Sequence, residues 1–228
     1  MSPPYPLHRR GGTTAAAMRA DLTQLADRWQ GLCRALEVPP GECDVFDKLR
    51  AAYTAPDRYY HGIDHIDECL RELDAHRDQA TNPLAVEVAI WFHDVVYDGR
   101  RTDNEERSAD LADAELSRMG VGEPLRAEVR RLILLTRHNQ PPAADDADGR
   151  LMVDIDLASL ARPPAVFDDN TRLIRREYPH VADADFRRGR RDMLGRFLAR
   201  ERIYYTAAMF ARYEQPAREN LRRALANL

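Results

Sequence analysis

The sequence predicts an all-α fold on three observations. Apolar residues recur at steps of three and four almost throughout, no stretch alternates apolar and polar residues as a half-buried strand does, and Pro and Gly punctuate the chain at helix-length intervals. With 228 residues, 44% of them hydrophobic, the chain is long enough to bury one full core. No internal repeat, low-complexity linker or shift of composition divides it. A single multi-helix domain over residues 18–228 is therefore expected, preceded by a flexible segment at 1–17. That segment includes most of "HRRGGTTAAAM", a twin Arg without an apolar run of signal length.

Leu22, Leu25, Trp29, Leu32 and Leu36 put an apolar stripe on a first helix, which stops near "EVPPG" because two prolines cannot continue it. Val45, Phe46, Leu49 and Tyr53 mark a second, ending before Pro56. After "DRYYHGIDH" come Ile66, Cys69, Leu70 and Leu73 on a third. A fourth runs from Pro83, suited to a first turn, to about Val96; it is apolar on nearly all sides, which assigns it to the middle of the bundle. A fifth spans 103–119 and stops at "GVG", and Leu125, Val129, Leu132, Ile133 and Thr136 carry a sixth. "HNQPPAADDADG" reads as a loop and "RLMVDIDLASLA" as a seventh helix. An eighth covers 166–178, a long ninth covers 185–210 with a break inside it left open, and Pro216 opens a last one.

Charge and cysteine content narrow the partners. A net charge of -4, from 34 Lys+Arg against 38 Asp+Glu, offers no overall field to hold a nucleic-acid polymer or an anionic membrane surface. No apolar run reaches the ~18 residues of a membrane span. Cys33, Cys43 and Cys69 are odd in number and lack C-x-x-C spacing, so they read as reduced thiols of a cytoplasmic protein. Nothing in the pattern decides between a monomer and a homo-oligomer.

The chemistry lies where apolar helices carry polar residues. The fourth helix finishes on His93 and Asp94, and an unpaired carboxylate there would cost several kcal/mol unless a cation or strong donors meet it. The seventh helix sets Asp154 and Asp156 among Leu151, Met152, Val153, Ile155, Leu157 and Leu160. "YYHGIDHIDECL" supplies His61 and His65 four residues apart, on one face if the third helix reaches back that far, and His138 ends the sixth. One divalent ion shared among these helices would answer all the burial problems at once. Imidazole with carboxylate suits a transition metal of the Mn, Fe, Co, Ni or Zn kind, whereas Ca or Mg would ask for oxygen ligands. Open positions on such an ion would make the site hydrolytic.

The order His65, His93-Asp94, Asp156 resembles the HD superfamily of metal-dependent phosphohydrolases, over about residues 55–160. "YHGIDHIDECL" and "FHDVVYDGRRTDN" are similar to the "YHNxxHxxDV" and "HDxxHxGxxN" strings of cyclic-nucleotide phosphodiesterases, and the whole chain resembles a bacterial HD phosphohydrolase family. The resemblance implies an HD-type helical domain with motif core 55–160 and C-terminal helices over 164–228 packed on it. It implies His65, His93, Asp94 and Asp156 as ligands of one ion, Asp94 also as a catalytic group, and His61 as proton donor to the leaving oxygen. Gly62 and Tyr97 depart from the phosphodiesterase pattern, standing in place of an Asn and of a further His that helps to hold a second ion. Asp154 is the alternative last ligand; it lies ~200° from Asp156 around a helix, so both cannot face one ion.

Three further residues are candidates for substrate binding. His138 either approaches the ion or phosphate or caps its helix. Asn104, with Glu105 in "DNEERSA", either holds a water or second cation or belongs to a helix start. Arg190 lies among Phe186, Met193, Leu194 and Phe197, so it is expected to be buried, paired with a core carboxylate or meeting a substrate phosphate. The expected function is metal-dependent hydrolysis of a phosphate ester or phosphodiester, with a small molecule, nucleotides first, as the substrate. The alternative is a non-catalytic HD-type protein that binds a metal or nucleotide for regulation.

Overall fold

The most apolar helix is the centre around which the others pack. The computed structural model describes residues 20–39 and 41–228; the expected flexible segment lies outside them. Ten α-helices occupy the described residues, with no strand among them. They are α1 (Leu22–Ala35), α2 (Val45–Tyr53), α3 (Ile63–His76), α4 (Pro83–Phe92), α5 (Asn104–Arg118), α6 (Glu123–Leu135), α7 (Ala147–Leu157), α8 (Pro164–Glu177), α9 (Asp183–Ala199) and α10 (Ala207–Asn227).

Every residue of α4 from Ala85 to Phe92 is buried, against α1, α3, α5, α6 and α7. Asn82 starts it by accepting from Ala85 N, and Pro83 follows at the first turn, where its missing N–H is not needed. Trp91 meets Trp29 of α1 edge to face at 5.6 Å and Phe46 of α2 at 6.0 Å. Fully burying side chains of this size contributes about 1.5–3 kcal/mol each or more, so this cluster anchors the N-terminal half. α4 stops at Phe92, not at Val96, which leaves His93 and Asp94 at its end and not inside it.

The C-terminal half wraps the other side, with α10 packed on α9 and on the turn Ala158–Ala161 that follows α7. The long ninth helix is broken: residues 200–206 separate α9 from α10. Arg218 donates to the carbonyls of Leu198, Arg200 and Glu201 at this break, while Glu214 accepts from Ile203 N and Tyr204 N. Pro216 does not open a helix but sits inside α10, because Tyr213, Ala217 and Leu221 are buried on either side of it and hold the helix together. α7 also starts earlier than expected, at Ala147, where Asp146 caps it by accepting from Gly149 N.

The cysteines require a correction. Cys33, at the end of α1, and Cys43, before α2, are joined by a disulfide with Cα atoms 6.2 Å apart, and only Cys69 is a free thiol among the described residues. No spacing motif marked the pair; the chain reversal between the two helices brings them together. No helix among the described residues is long and apolar enough to cross a membrane.

Candidate metal centre and its cleft

Three helices deliver four donor atoms to one point. His65 comes from the first turn of α3, His93 and Asp94 from the end of α4, and Asp156 from the last turn of α7. His65 Nε2 lies 3.3 Å from His93 Nε2, 3.2 Å from Asp156 Oδ1 and 3.9 Å from Asp94 Oδ2. His93 Nε2 is 3.2 Å from Asp94 Oδ2 and 3.6 Å from Asp156 Oδ1. Donors bound ~2.1 Å from a shared ion sit ~3.0 Å apart across an octahedral edge and ~3.4 Å across a tetrahedral one, so the two imidazoles need close only slightly on each carboxylate to hold one.

Each ligand is oriented from behind. His93 donates its Nδ1–H to the Ile90 carbonyl at 2.9 Å, which leaves Nε2 as the nitrogen with the free lone pair. The outer oxygen of Asp156, Oδ2, meets His138 Nε2 at 2.7 Å. Burial would push both carboxyls up; the surrounding imidazoles outweigh it, holding Asp94 and Asp156 well below the ordinary carboxylate range. Burial would likewise lower His93, but Asp94 and Asp156 hold it well above its ordinary value.

Asp154, two residues before Asp156, has the opposite setting. It is fully buried and accepts from Tyr205 N and Thr206 N, both at 2.7 Å, at the entry to α10. Burial pushes its carboxyl up to about 6 despite those donors. Of the two acids in "VDID", Asp156 therefore faces the candidate centre and Asp154 ties the C-terminal helix to α7.

His61 reaches the site without being on α3, which begins two residues later with Gly62 as its N-cap. A side chain at Gly62 would place Cβ 3.1 Å from the Tyr53 carbonyl, too close for the Asn of the resembling enzymes without a shift. Arg58 fixes the segment instead, donating to the carbonyls of His61, Asp94 and Val95 and so tying it to the end of α4. Glu177, the last residue of α8, receives His61 Nδ1–H at 2.6 Å and the backbone N–H groups of Tyr59, Tyr60 and His61. Burial alone would raise Glu177, but His61 and those N–H groups hold it below its ordinary value. Tyr97 stacks on the His61 ring, centroids 4.0 Å apart, and meets Tyr178 O–H at 3.0 Å. The position at which the resembling enzymes place a further His is here a wall for His61.

The donors open into a cleft of about 600 Å³ lined by α7, α8 and α9. His138, His61 and Arg190 line it; Asn104 does not. Asn104 accepts from Asp98 N and donates to Asp98 O, so both ends of its amide close the loop before α5, and its assignment to substrate is corrected. Its neighbour Glu105 lines the cleft and is pushed up by burial. His138 is held at φ 54, a left-handed conformation uncommon outside glycine, with Arg200 donating to its carbonyl. Of its two readings, the one toward the centre describes its ring. Arg190 is half-buried where burial was expected, and it pairs with no carboxylate among the described residues; its Nε has no hydrogen-bond partner.

Two residues of the site went unread in the sequence. Glu177 looks like any helix-end acid, and only its distance of 116 residues along the chain from His61 closing to 2.6 Å reveals it. Cys69, one turn after His65 on α3, brings Sγ to 3.7 Å from His65 Nε2, within reach of the same centre. Compared with known proteins, the chain matches no family model, no curated protein and no solved structure.

Proposed function

We propose that this protein is a metal-dependent hydrolase of a phosphate ester or phosphodiester, of the HD-superfamily kind, with a small molecule, nucleotides first, as substrate. The observation that carries the reading is that His65 and His93, 3.3 Å apart, each lie 3.2 to 3.9 Å from both Asp94 and Asp156 at the base of a cleft. Two imidazoles and two carboxylates would hold one Mn, Fe, Co, Ni or Zn ion, which when bound supplies a Lewis acid able to acidify water near neutral pH.

The protein's own groups account for the other half of the reaction. Because a carboxylate only accepts, the His61–Glu177 contact puts hydrogen on His61 Nδ1 and leaves Nε2 to carry the proton the leaving oxygen needs. Glu177 stabilises the imidazolium that can give up that proton, and Tyr97 keeps the ring from turning. Water attacks phosphorus and gives up a proton to solvent, the phosphorus–oxygen ester bond breaks, and the leaving oxygen takes the proton from His61, which regains one from solvent. A regulatory binder would need the ligand set but not a buried acid oriented behind His61, and this favours the enzyme over the non-catalytic alternative.

We propose no nucleic-acid polymer or membrane as partner. Disulfides are rare in the cytoplasm, so the Cys33–Cys43 bond favours an oxidising compartment over it. Protein isolated from its native cell under thiol-trapping conditions and then denatured should show one thiol, Cys69; three thiols would return it to the cytoplasm. The function itself is tested by metal analysis of untagged protein purified without chelator, followed by a screen of phosphate esters and nucleotides. Absence of bound transition metal together with no hydrolysis after metal addition would end the reading.

A further inference from the structure

α9 and its C-cap present one stripe to the cleft: Arg190, Met193, Arg196, Phe197 and Arg200. Steps of three and four along a helix keep these side chains on one face. At ~1.5 Å per residue, Arg190 and Arg200 lie roughly 15 Å apart along the axis. Elsewhere on the C-terminal helices Arg172, Arg175, Arg188, Arg218 and Arg223 pair with carboxylates, and Arg176, Arg187, Arg191, Arg212 and Arg222, which do not, are exposed, whereas Arg190 and Arg200 are half-buried. The three on the cleft stripe have no carboxylate partner among the described residues.

For Arg190 and Arg200, which are half-buried, this is costly for the protein alone. The one hydrogen-bond contact of Arg190 among the described residues is with Met193 Sδ at 3.8 Å, and its Nε is cut off from water without a partner. Burial lowers both Arg190 and Arg200, and the Arg196 charge lowers Arg200 further. Cations left in this state gain from an incoming anion. A single phosphoryl group, whose oxygens lie within a few ångströms of one another, cannot reach both ends of the stripe. Met193 and Phe197 between the arginines, with Phe167 and Ile174 of α8 on the same cleft, offer apolar surface and not charge.

We infer that the ligand of this cleft carries two anionic groups separated by an apolar or aromatic body. One anion meets Arg190, beside the tyrosines that flank His61; the other meets Arg196 and Arg200, beside His138. The inference rests on the hydrolase reading for which bond is cut, and names the substrate class for it: a phosphate ester with a second phosphate or carboxylate.

Calorimetry with hexyl phosphate and the bisphosphate of hexanediol tests this on the full chain. The wild type should bind the bisphosphate about tenfold or more tighter, a difference of ~1.4 kcal/mol. Arg196→Gln, at an exposed position, should remove most of that preference, and so should Arg190→Met in protein whose melting temperature shows it folded. The single-anion ligand should respond to at most one of the two variants. Equal binding of both ligands, no binding of either, or a preference that Arg196→Gln leaves intact would overturn the inference. Metal content and nitrophenyl phosphate hydrolysis on the same samples keep the two readings apart. A metal-loaded hydrolase without the preference loses only the two-anion class, and a metal-free chain that retains it loses only the hydrolase.

Discussion

Asp154 and Asp156 are two residues apart on α7, chemically identical, and put to opposite uses. Asp154 points to the entry of α10 and is spent on two backbone N–H groups; Asp156 points to the cleft and meets His65, His93 and His138. The difference is one of partners, not of burial alone. Uncharged donors leave the Asp154 carboxyl raised to about 6, whereas a ring of imidazoles drives Asp156 the other way. A buried acid with only backbone partners fastens structure; a buried acid facing several histidines from other helices is ready for a cation.

The largest expected effect comes from the Asp156 side. Asp156→Asn or His93→Ala should release the metal and lower hydrolysis by about 10³-fold or more, since the Lewis acid supplies several kcal/mol of transition-state stabilisation. Metal analysis and kcat/KM check this together. Retention of metal and rate by Asp156→Asn would erase the contrast between the two acids.

Next is His61→Ala, expected to keep the metal and the fold but to reduce kcat by roughly 10²- to 10⁴-fold on a poor leaving group. A nitrophenyl ester, which needs little protonation, should lose much less. Equal losses on both substrates would remove the proton-donor role. Glu177→Gln should follow the same leaving-group pattern at roughly 10- to 100-fold, the range seen when the partner behind a functional His is altered.

Asp154→Asn should leave metal content unchanged and reduce stability by about 1–3 kcal/mol, because an amide offers one acceptor where two N–H groups need two. Its pH dependence sharpens the contrast. The folded carboxyl titrates near 6 and the unfolded one near 3.8, so between these values the unfolded chain binds fewer protons than the native one. This group's contribution therefore favours the fold below about pH 3.8 and is lost as pH rises through about 6. Denaturant unfolding of wild type against Asp154→Asn across that window should show the wild type losing its advantage as pH rises. A difference that grows with pH would mean the acid is stabilised as a carboxylate after all. The smallest effect is expected of Asn104→Ala, within about twofold of the wild-type rate. A large drop in kcat/KM there, without loss of stability, would return Asn104 to the substrate.

Much of the fold was legible in the residues themselves. Helical periodicity, the all-round apolarity of α4 and the Pro and Gly stops are local properties, and the first eight helices follow from them, whereas the division between α9 and α10 does not. The same burial argument that brought out His93, Asp94 and Asp156 works within one helix at a time. What it cannot reach is direction: Pro216 reads locally as a helix start, yet packing on both sides carries α10 through it.

The sequence by itself thus determined an all-α chain whose apolar helices hold His and Asp, because burying a titratable group is a conflict visible in the string. Only the tertiary structure decided which acid faces the centre, that Glu177 stands behind His61, that Cys33 joins Cys43, that Asn104 is occupied by its own loop, and that three arginines share one unpaired stripe. Each of these is a meeting of residues far apart in the chain or a choice between two faces of one helix. Side-chain chemistry states what a group needs, and only the packing of helix against helix states which neighbour supplies it.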